Sequence, residues 1–259
     1  MTMHRSLHHA KKSLGQNFLI DPNQLSRLVE ALDLRAKDAV IEIGPGTGLL
    51  TERIQPLVRK IWAIEIDRDL AAQLQRTFSG AGNVEIIQAD ILKTDLIALC
   101  GAESARVIGN IPYYITTPII FHVLDHPGPI RDMTLLMQKE VGQRIVAEPN
   151  SKEYGILAVF SQAYAQVELL RSVPAAVFRP KPRVDSCLVR WTFDRTAASR
   201  IKEDALFRRL VRTAFNQRRK MLRSTLKTFD VQKLSHWDLT RRPEDLTVAE
   251  WIQLANDLT

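Results

Sequence analysis

Cysteine is nearly missing from this chain. There are two in 259 residues, Cys100 and Cys187, and neither belongs to a C-x-x-C pair. That excludes a disulfide-stapled secreted scaffold and argues against a structural zinc site, so a reducing, cytoplasmic setting is expected. The six histidines show no ligand set that would hold a metal, and none is expected. No apolar run approaches the ~18–20 residues that a membrane helix needs, so no membrane partner is expected either. The opening MTMHRSLHHAKK is basic but has no apolar stretch. It reads as a short flexible arm over residues 1–12 rather than a secretory signal. Low-complexity segments and internal repeats are also missing. Acidic residues run short in one region only. Residues 195–259 hold 14 Lys and Arg against 8 Asp and Glu, whereas the first 194 hold 22 against 21. Nearly all of the net +7 therefore lies in the last quarter, and a concentrated positive field suits a polyanionic partner.

What is present is a run of short Val/Ile-rich stretches alternating with helical ones. Strands are expected at AVIEIG (39–44), KIWAIEID (60–67), VEIIQAD (84–90), ARVIGN (105–110), MTLLMQ (133–138), YAQVELLRSV (164–173) and SCLVRWTF (186–193). The first four show little polar alternation, as expected of strands covered on both faces. Segments such as LLTERIQPLV and RDLAAQLQRTF lie between them, which predicts an open, mostly parallel α/β sheet. Only the loop PAAVFRPKPRVD separates the last two strands, so they are expected to pair antiparallel at one edge. Past residue 194 no strand candidate remains. Helices are expected over EDALFRRLVRTAF, over NQRRKMLRSTLKTF and near TVAEWIQLAND. The chain thus reads as an α/β domain over 1–194 and a small, basic, all-α domain over 195–259.

The first strand runs into PGTGLLTERI, spacing Gly44, Gly46 and Gly48 as G-x-G-x-G. Glycines here let the backbone approach a ligand and present a helix N-terminus to it, although a plain strand-to-helix turn uses them too. Compared with the dinucleotide fingerprint, the third glycine comes one residue early and Pro45 sits inside the loop. The loop resembles instead the first motif of class I S-adenosylmethionine-dependent methyltransferases, which implies a Rossmann-like sheet. Glu65 ends the second strand, where an acid can bind both hydroxyls of a ribose. Asp67 is a rival only if that strand ends two residues later. Asp90, before Ile91 and Leu92, supplies an acceptor beside an apolar wall, as an adenine ring requires, or simply a helix N-cap.

The fourth strand ends in GNIPYYITTPII. Thr117-Pro118 reads as N-cap and first helical residue, leaving Asn110 to Thr116 as a loop at the carboxyl edge of the sheet. N-I-P-Y resembles the Asn/Asp-Pro-Pro-Tyr motif of amino-directed methyltransferases. An aryl amine is a poor nucleophile because its lone pair is delocalised into the ring. The Asn110 side-chain oxygen and the Ile111 carbonyl can accept its two N–H bonds and aim that lone pair at a methyl donor. Tyr113 would stack on the base and Pro112 would stiffen the loop. Half-buried core aromatics are the plainer alternative for Tyr113 and Tyr114.

Taken together, KKSLGQNFLID, IEIGPGTGLLT, EIDRDL, ADIL, GNIPYYITTPI, PNSKEYGILAV, VFRPKPRVDS and FNQRRKMLRSTL closely resemble the bacterial KsgA/RsmA-type small-subunit rRNA adenine dimethyltransferases. The resemblance implies transfer of two methyl groups from S-adenosylmethionine to N6 of each of two adjacent adenosines in the 3′-terminal hairpin loop of 16S rRNA. It further implies that Asn17 and Leu19 cover the methionine end of the cofactor, with Gly44, Gly46, Glu65, Asp90 and Asn110 lining the rest. Phe178 would help enclose the target adenine. Ile111 and Tyr114 depart from the family's common Asn-Leu-Pro-Tyr-Asn, and the resemblance assigns Tyr114 no role.

In the tail, LFRRLVRTAFNQRRKMLRSTLK (206–227) carries eight Lys and Arg and no acid. Leu206, Phe207, Leu210, Val211 and Phe215 give one helix an apolar stripe. Asn216 is expected to cap a second helix bearing Arg218, Arg219, Lys220, Arg223 and Lys227. A charge run is often only a solvated face. Beside an aryl-amine methyltransferase it suits RNA phosphates, which position a substrate without reading it. The expected partner is the small ribosomal subunit, approached by a monomer. Three rivals stand beside this reading: a large-subunit rRNA methyltransferase, a mainly non-catalytic assembly factor, and a protein-glutamine methyltransferase. The last has no need of a basic helical appendage, and a dead assembly factor has no need of Glu65 or N-I-P-Y.

Overall fold

The computed structural model of the chain describes residues 15–101, 103–125, 128–193 and 199–259. The expected arm over 1–12 and the expected boundary at 194/195 lie outside these. The chain divides into two compact units. One runs to Lys139 and takes up Leu169–Arg190; the other consists of Glu140–Glu168 and Trp191–Thr259.

Nine strands are described: β1 (Phe18–Leu19), β2 (Ala39–Ile43), β3 (Lys60–Glu65), β4 (Val84–Gln88), β5 (Ala105–Asn110), β6 (Ile130–Gln138), β7 (Ala165–Val173), β8 (Phe178–Arg179) and β9 (Ser186–Phe193). Seven of them form one sheet in the order β4-β3-β2-β5-β6-β9-β7. The β2–β3, β3–β4, β2–β5 and β5–β6 pairs are parallel. This is the mostly parallel α/β sheet with antiparallel elements that the alternation predicts. β9 lies between β6 and β7, so β7 forms one edge and β4 the other.

Central position explains the composition of β2 and β5. Val40, Ile41, Val107 and Ile108 are fully or almost fully buried, as β-branched residues covered on both faces should be. The same expectation is corrected for β4. Its burial is only partial and Glu85 and Gln88 are exposed, because an edge strand has one side in water. Helix α1 (Pro22–Leu32) starts where Asp21 accepts the Gln24 amide at 2.8 Å and Pro22 occupies the first turn. Its Leu25, Leu28 and Leu32 pack with Val40, Ile61, Ile108, Leu136 and Leu188 in one apolar cluster. Each such leucine contributes about 2 kcal/mol of burial.

β1 and β8 form a two-residue antiparallel ladder, Phe18 opposite Arg179 and Leu19 opposite Phe178. So short a pairing leaves no periodicity to read in the sequence. Helices α2 (Leu49–Ile54), α3 (Arg68–Thr77) and α4 (Leu96–Cys100) follow β2, β3 and β4. Helix α5 (Thr116–Asp125) begins earlier than expected, at buried Thr116, after a 3₁₀ turn over Tyr113–Ile115. Pro118 sits inside its first turn. The first four amides of a helix have no intrahelical acceptor, so a missing N–H there costs nothing.

The second unit holds α6 (Lys139–Ile145), α7 (Ile156–Tyr164), α8 (Asp204–Phe215), α9 (Leu222–Thr225) and α10 (Val248–Leu258). The stripe on α8 buries Leu206, Phe207, Leu210, Val211 and Ala214, and Phe215 makes ring contacts with Tyr154 and Trp251. Thr247 and Glu250 form a capping box at the start of α10. The expected second helix from Asn216 to Lys227 is corrected. Asn216 closes α8, its amide donating to Arg212 O at 3.1 Å, and only Leu222–Thr225 is helical beyond it. NQRRK offers no apolar residue to continue the buried stripe until Leu222, so the chain turns instead of propagating.

Candidate active site

The carboxyl ends of β2, β3, β4 and β5 open on one cleft. Gly44, Gly46, Glu65, Asp90 and Asn110 line it from the strand ends, and Asn17, Leu19, Pro112 and Tyr113 line it from the adjoining loops. An open parallel sheet binds ligands at this edge.

The three loop glycines share a left-handed backbone, with φ of +65°, +58° and +78°, but their surroundings separate their roles. A Cβ on Gly46 would meet the Phe18 ring at 2.8 Å, and one on Gly48 would meet Leu74 at 2.7 Å. Those two positions are closed by packing. A Cβ on Gly44 would meet only Asn110 O, at 4.0 Å, so Gly44 faces open space and leaves room for a ligand against the backbone.

Glu65 is 3% exposed. Its Oε2 accepts the Gly46 amide at 3.1 Å and its Oε1 accepts the Asp67 amide at 2.9 Å. Burial pushes its pKa up and nearby Asp67 adds to this, while the same two amides act against it. Each oxygen keeps a second lone pair, so the carboxylate can receive two vicinal hydroxyls without leaving the loop it braces. Asp67 is the N-cap of α3, its Oδ1 accepting the Asp69 amide at 3.0 Å, which separates it from the role considered for Glu65. Asp90 likewise caps a 3₁₀ turn, accepting the Leu92 amide at 3.0 Å on Oδ1. Ile91 beside it is buried, and Leu92 points to solvent. Sequence reasoning missed Ile66, which is 51% exposed and lines the cleft between Glu65 and Asp67. An apolar side chain between two acids where a strand ends was the available signal.

Asn110 carries the most specific geometry. Its Nδ2 donates to the Asn17 carbonyl at 3.1 Å. A carbonyl can only accept, so this bond settles which end of the amide is nitrogen and leaves Oδ1 as the free acceptor. Tyr113 is half-buried and its hydroxyl is hydrogen-bonded to Ser186 Oγ at 2.8 Å; burial raises its pKa. Ser186, at the start of β9, is a second residue the sequence reading passed over.

Phe178 is not brought to the cleft. It is 1% exposed and packs in the apolar cluster with Leu19 and Leu25. In the second unit, all three nitrogens of the Arg218 guanidinium are engaged: Glu244 Oε2 at 2.5 Å, Lys152 O at 2.7 Å and Ser151 O at 3.0 Å. Arg219, Lys220 and Arg223 are exposed.

Glu42, near the carboxyl end of β2 and also lining the cleft, is fully buried, and its Oε2 accepts the Thr51 hydroxyl at 2.7 Å. Burial, reinforced by the charge of Glu65, pushes its pKa up to about 7. Between the ordinary carboxylate value and about 7, the folded protein holds a proton that the unfolded chain has lost. Stability therefore declines as pH rises through that window, by about 3 kcal/mol in all. Glu42→Gln is expected to match the wild type in thermal midpoint at pH 5 and to exceed it by roughly 5–10 °C at pH 8. Thermal scans across pH check this; a gap that does not widen with pH would refute it.

A model of the ribosomal RNA adenine dimethylase family matches residues 7–259. The ribosomal RNA small subunit methyltransferase A of Xanthomonas euvesicatoria pv. vesicatoria is 44% identical over 255 residues, covering 95% of this chain and 95% of that protein. The protein of the same name from Xanthomonas oryzae pv. oryzae has the same identity and coverage. A dimethyladenosine transferase from Plasmodium falciparum shares the fold, with a TM-score of 0.82 at 24% identity over 92% of this chain and 95% of that one. The 23S rRNA methyltransferase ErmE superposes with a TM-score of 0.71 at 26% identity, over 93% and 99%.

Proposed function

The chain belongs to the ribosomal RNA adenine dimethylase family, and on that premise we propose that it dimethylates N6 of two adjacent adenosines in the 3′-terminal hairpin loop of 16S rRNA, with S-adenosylmethionine as donor. The observation that carries this reading is the orientation of Asn110, whose Oδ1 is left free at the cleft by the bond from Nδ2 to Asn17 O. The relatives named for the small subunit are 44% identical over nearly the whole of both chains, whereas the 23S enzyme is 26% identical, which favours the small-subunit target.

The cofactor fits the donors present. Glu65 offers two acceptor oxygens that would take the ribose hydroxyls, Gly44 leaves space beside the backbone, Asp90 and Ile66 would border the adenine, and Asn17 and Leu19 would border the methionine end. When bound, S-adenosylmethionine supplies an electrophilic methyl group on its sulfonium.

The chain's own part is orientation. Asn110 Oδ1 and the Ile111 carbonyl accept the two N–H bonds of the target amine and turn its lone pair toward the methyl. Pro112 limits the loop's freedom, and the Tyr113 ring, tethered through its hydroxyl to Ser186, packs against the base. The amine releases one N–H proton to solvent with each methyl it gains, so after one transfer a single N–H remains and one of the two acceptors suffices for the second. After two transfers none remains, and the product loses both bonds. Holding the reactants in this way is the larger part of the rate enhancement asked of such a site. The same contact with immature small subunits serves ribosome assembly in the cytoplasm.

The test supplies labelled S-adenosylmethionine with 30S and 50S particles lacking the modification. Label is expected as N6,N6-dimethyladenosine in 30S RNA; label confined to 50S particles or to protein would overturn the proposal.

The exposed cations of the second unit are assigned to RNA phosphates, with Arg218 left to its ties to Glu244, Ser151 and Lys152. Neutralising Arg219, Lys220 and Arg223 together is expected to reduce the slope of log affinity against log salt by about two. Titrations of the RNA at several salt concentrations measure it; an unchanged slope would place the footprint elsewhere.

A further inference from the structure

Tyr114 is the member of N-I-P-Y-Y that the proposed mechanism does not use. Its environment differs sharply from that of Tyr113. The Tyr113 hydroxyl is bound to Ser186 and its ring is half-buried, whereas Tyr114 is 63% exposed, the most exposed large apolar side chain described, although it also lines the cleft. Gly15 lies beside one edge of its ring: a Cβ there would be 3.1 Å from Tyr114 Cδ1 and 3.3 Å from Cε1. Tyr114 also belongs to a 3₁₀ turn anchored by Pro112. An aromatic ring exposed at a binding-site rim presents a face that a planar ligand can cover. On single-stranded RNA the general occupant of such a ring is a base, since every base presents a π face.

We infer that Tyr114 is an outer stacking platform for the nucleotide next to the adenosine in the cleft, and that it aligns the pair so that both adenosines are modified. This rests on the proposed dimethylation of two adjacent adenosines. Inside the cleft an adenine is read by Asn110 and Tyr113. At the rim, Tyr114 is the exposed ring of this loop that the neighbouring base can meet.

The test compares wild type with Tyr114→Phe, Tyr114→Leu and Tyr114→Ala on 30S particles lacking the modification, after cofactor affinity and thermal midpoint have been measured for each. Phe keeps the stacking face, whereas Leu fills the space against Gly15 without it. Phe is expected to behave as wild type. Leu and Ala are expected to raise KM for the particle about ten-fold or more. They should also accumulate RNA with only one of the two adenosines dimethylated, with cofactor affinity unchanged. Wild-type product distribution in Leu would assign Tyr114 to packing alone and overturn the inference, as would unchanged KM and distribution in Ala. Wild-type protein that modifies no 30S adenosine would overturn the proposed function itself, a different outcome.

Discussion

Asn110→Ala is expected to lower the rate of methyl transfer by about 10²–10³-fold, the usual cost of removing a positioned hydrogen-bonding group that acts on the reacting atoms. Cofactor binding should remain measurable, because Glu65, Gly44 and Asp90 are untouched. Two contributions are lost together. Oδ1 no longer accepts a target N–H, and Nδ2 no longer ties the loop to the Asn17 carbonyl. Asn110→Asp separates them. It keeps an acceptor at the cleft but sets a carboxylate against the Asn17 carbonyl, where two acceptors repel. An intermediate rate is expected, with most of the added loss in KM if the tie to Asn17 holds the N-terminal segment in place. Single-turnover methylation with labelled cofactor, alongside calorimetric cofactor titration, checks both variants. Unchanged turnover in the alanine variant would remove Asn110 from the mechanism.

Some of this site could be read in the sequence because strand ends are punctuated. AVIEIG followed by PGTG, the acid closing KIWAIE, and the asparagine closing ARVIG each interrupt an apolar run with a residue the run does not need, and all three reach the cleft. The sheet was legible for the same reason. β2 and β5 are central, so their Val and Ile residues carry the pattern of strands covered on both faces, and even the boundaries of β5 and β9 coincide with the runs. Less legible was anything decided by a distant partner. Val84–Gln88 reads much like its neighbours until its edge position exposes Glu85 and Gln88. Phe178 sits in a segment matching the family, yet the β1–β8 pairing turns it into the core opposite Leu19. Arg218 reads as one of five equivalent cations, but Glu244, 26 residues on, and the carbonyls of Ser151 and Lys152 claim it. Composition alone does not separate Arg218 from Arg219; contact does.

Arg106→Met is expected to destabilise the fold by about 3–5 kcal/mol, the usual result of removing one partner from a buried ion cluster. Arg106 is 4% exposed, at the start of β5. Its Nε donates to Asp132 at 2.9 Å and its Nη1 to Asp38 at 3.0 Å. Nη1 also donates to Asp33 O at 2.8 Å and Nη2 to Leu32 O at 2.6 Å, so the same guanidinium satisfies free carbonyls at the C-terminus of α1. Methionine fills most of the volume but leaves two buried carboxylates, with only partly exposed Arg131 bridging them. Against a total stability of about 5–15 kcal/mol the loss is large, and a thermal midpoint lower by roughly 10 °C is expected. Acid sensitivity should change as well. Burial alone would push Asp38 up, but the Arg35 amide, the Arg106 guanidinium and Arg131 outweigh it and hold the carboxyl below the usual range. The stability Asp38 contributes is thus present above its unfolded pKa of about 4 and lost as pH falls through the lower folded value. Without Arg106 that folded value rises toward the unfolded one, so less stability depends on Asp38 being ionised, and the deficit relative to wild type should narrow as pH falls. Asp38→Asn together with Asp132→Asn, added to the Arg106→Met variant, should recover part of the loss by removing the unpaired charges. Denaturant midpoints at pH 4 and pH 7 test each step, and a change below about 1 kcal/mol would show that solvent reaches the cluster. Cofactor affinity below the melting temperature should stay near the wild-type value. Arg106 opposes Val40 near the amino ends of β5 and β2, whereas Asn110 closes β5 and Gly44 follows β2, about 13 Å along the strands. A variant that unfolds easily yet binds normally would separate what holds these strands together from what their far ends do.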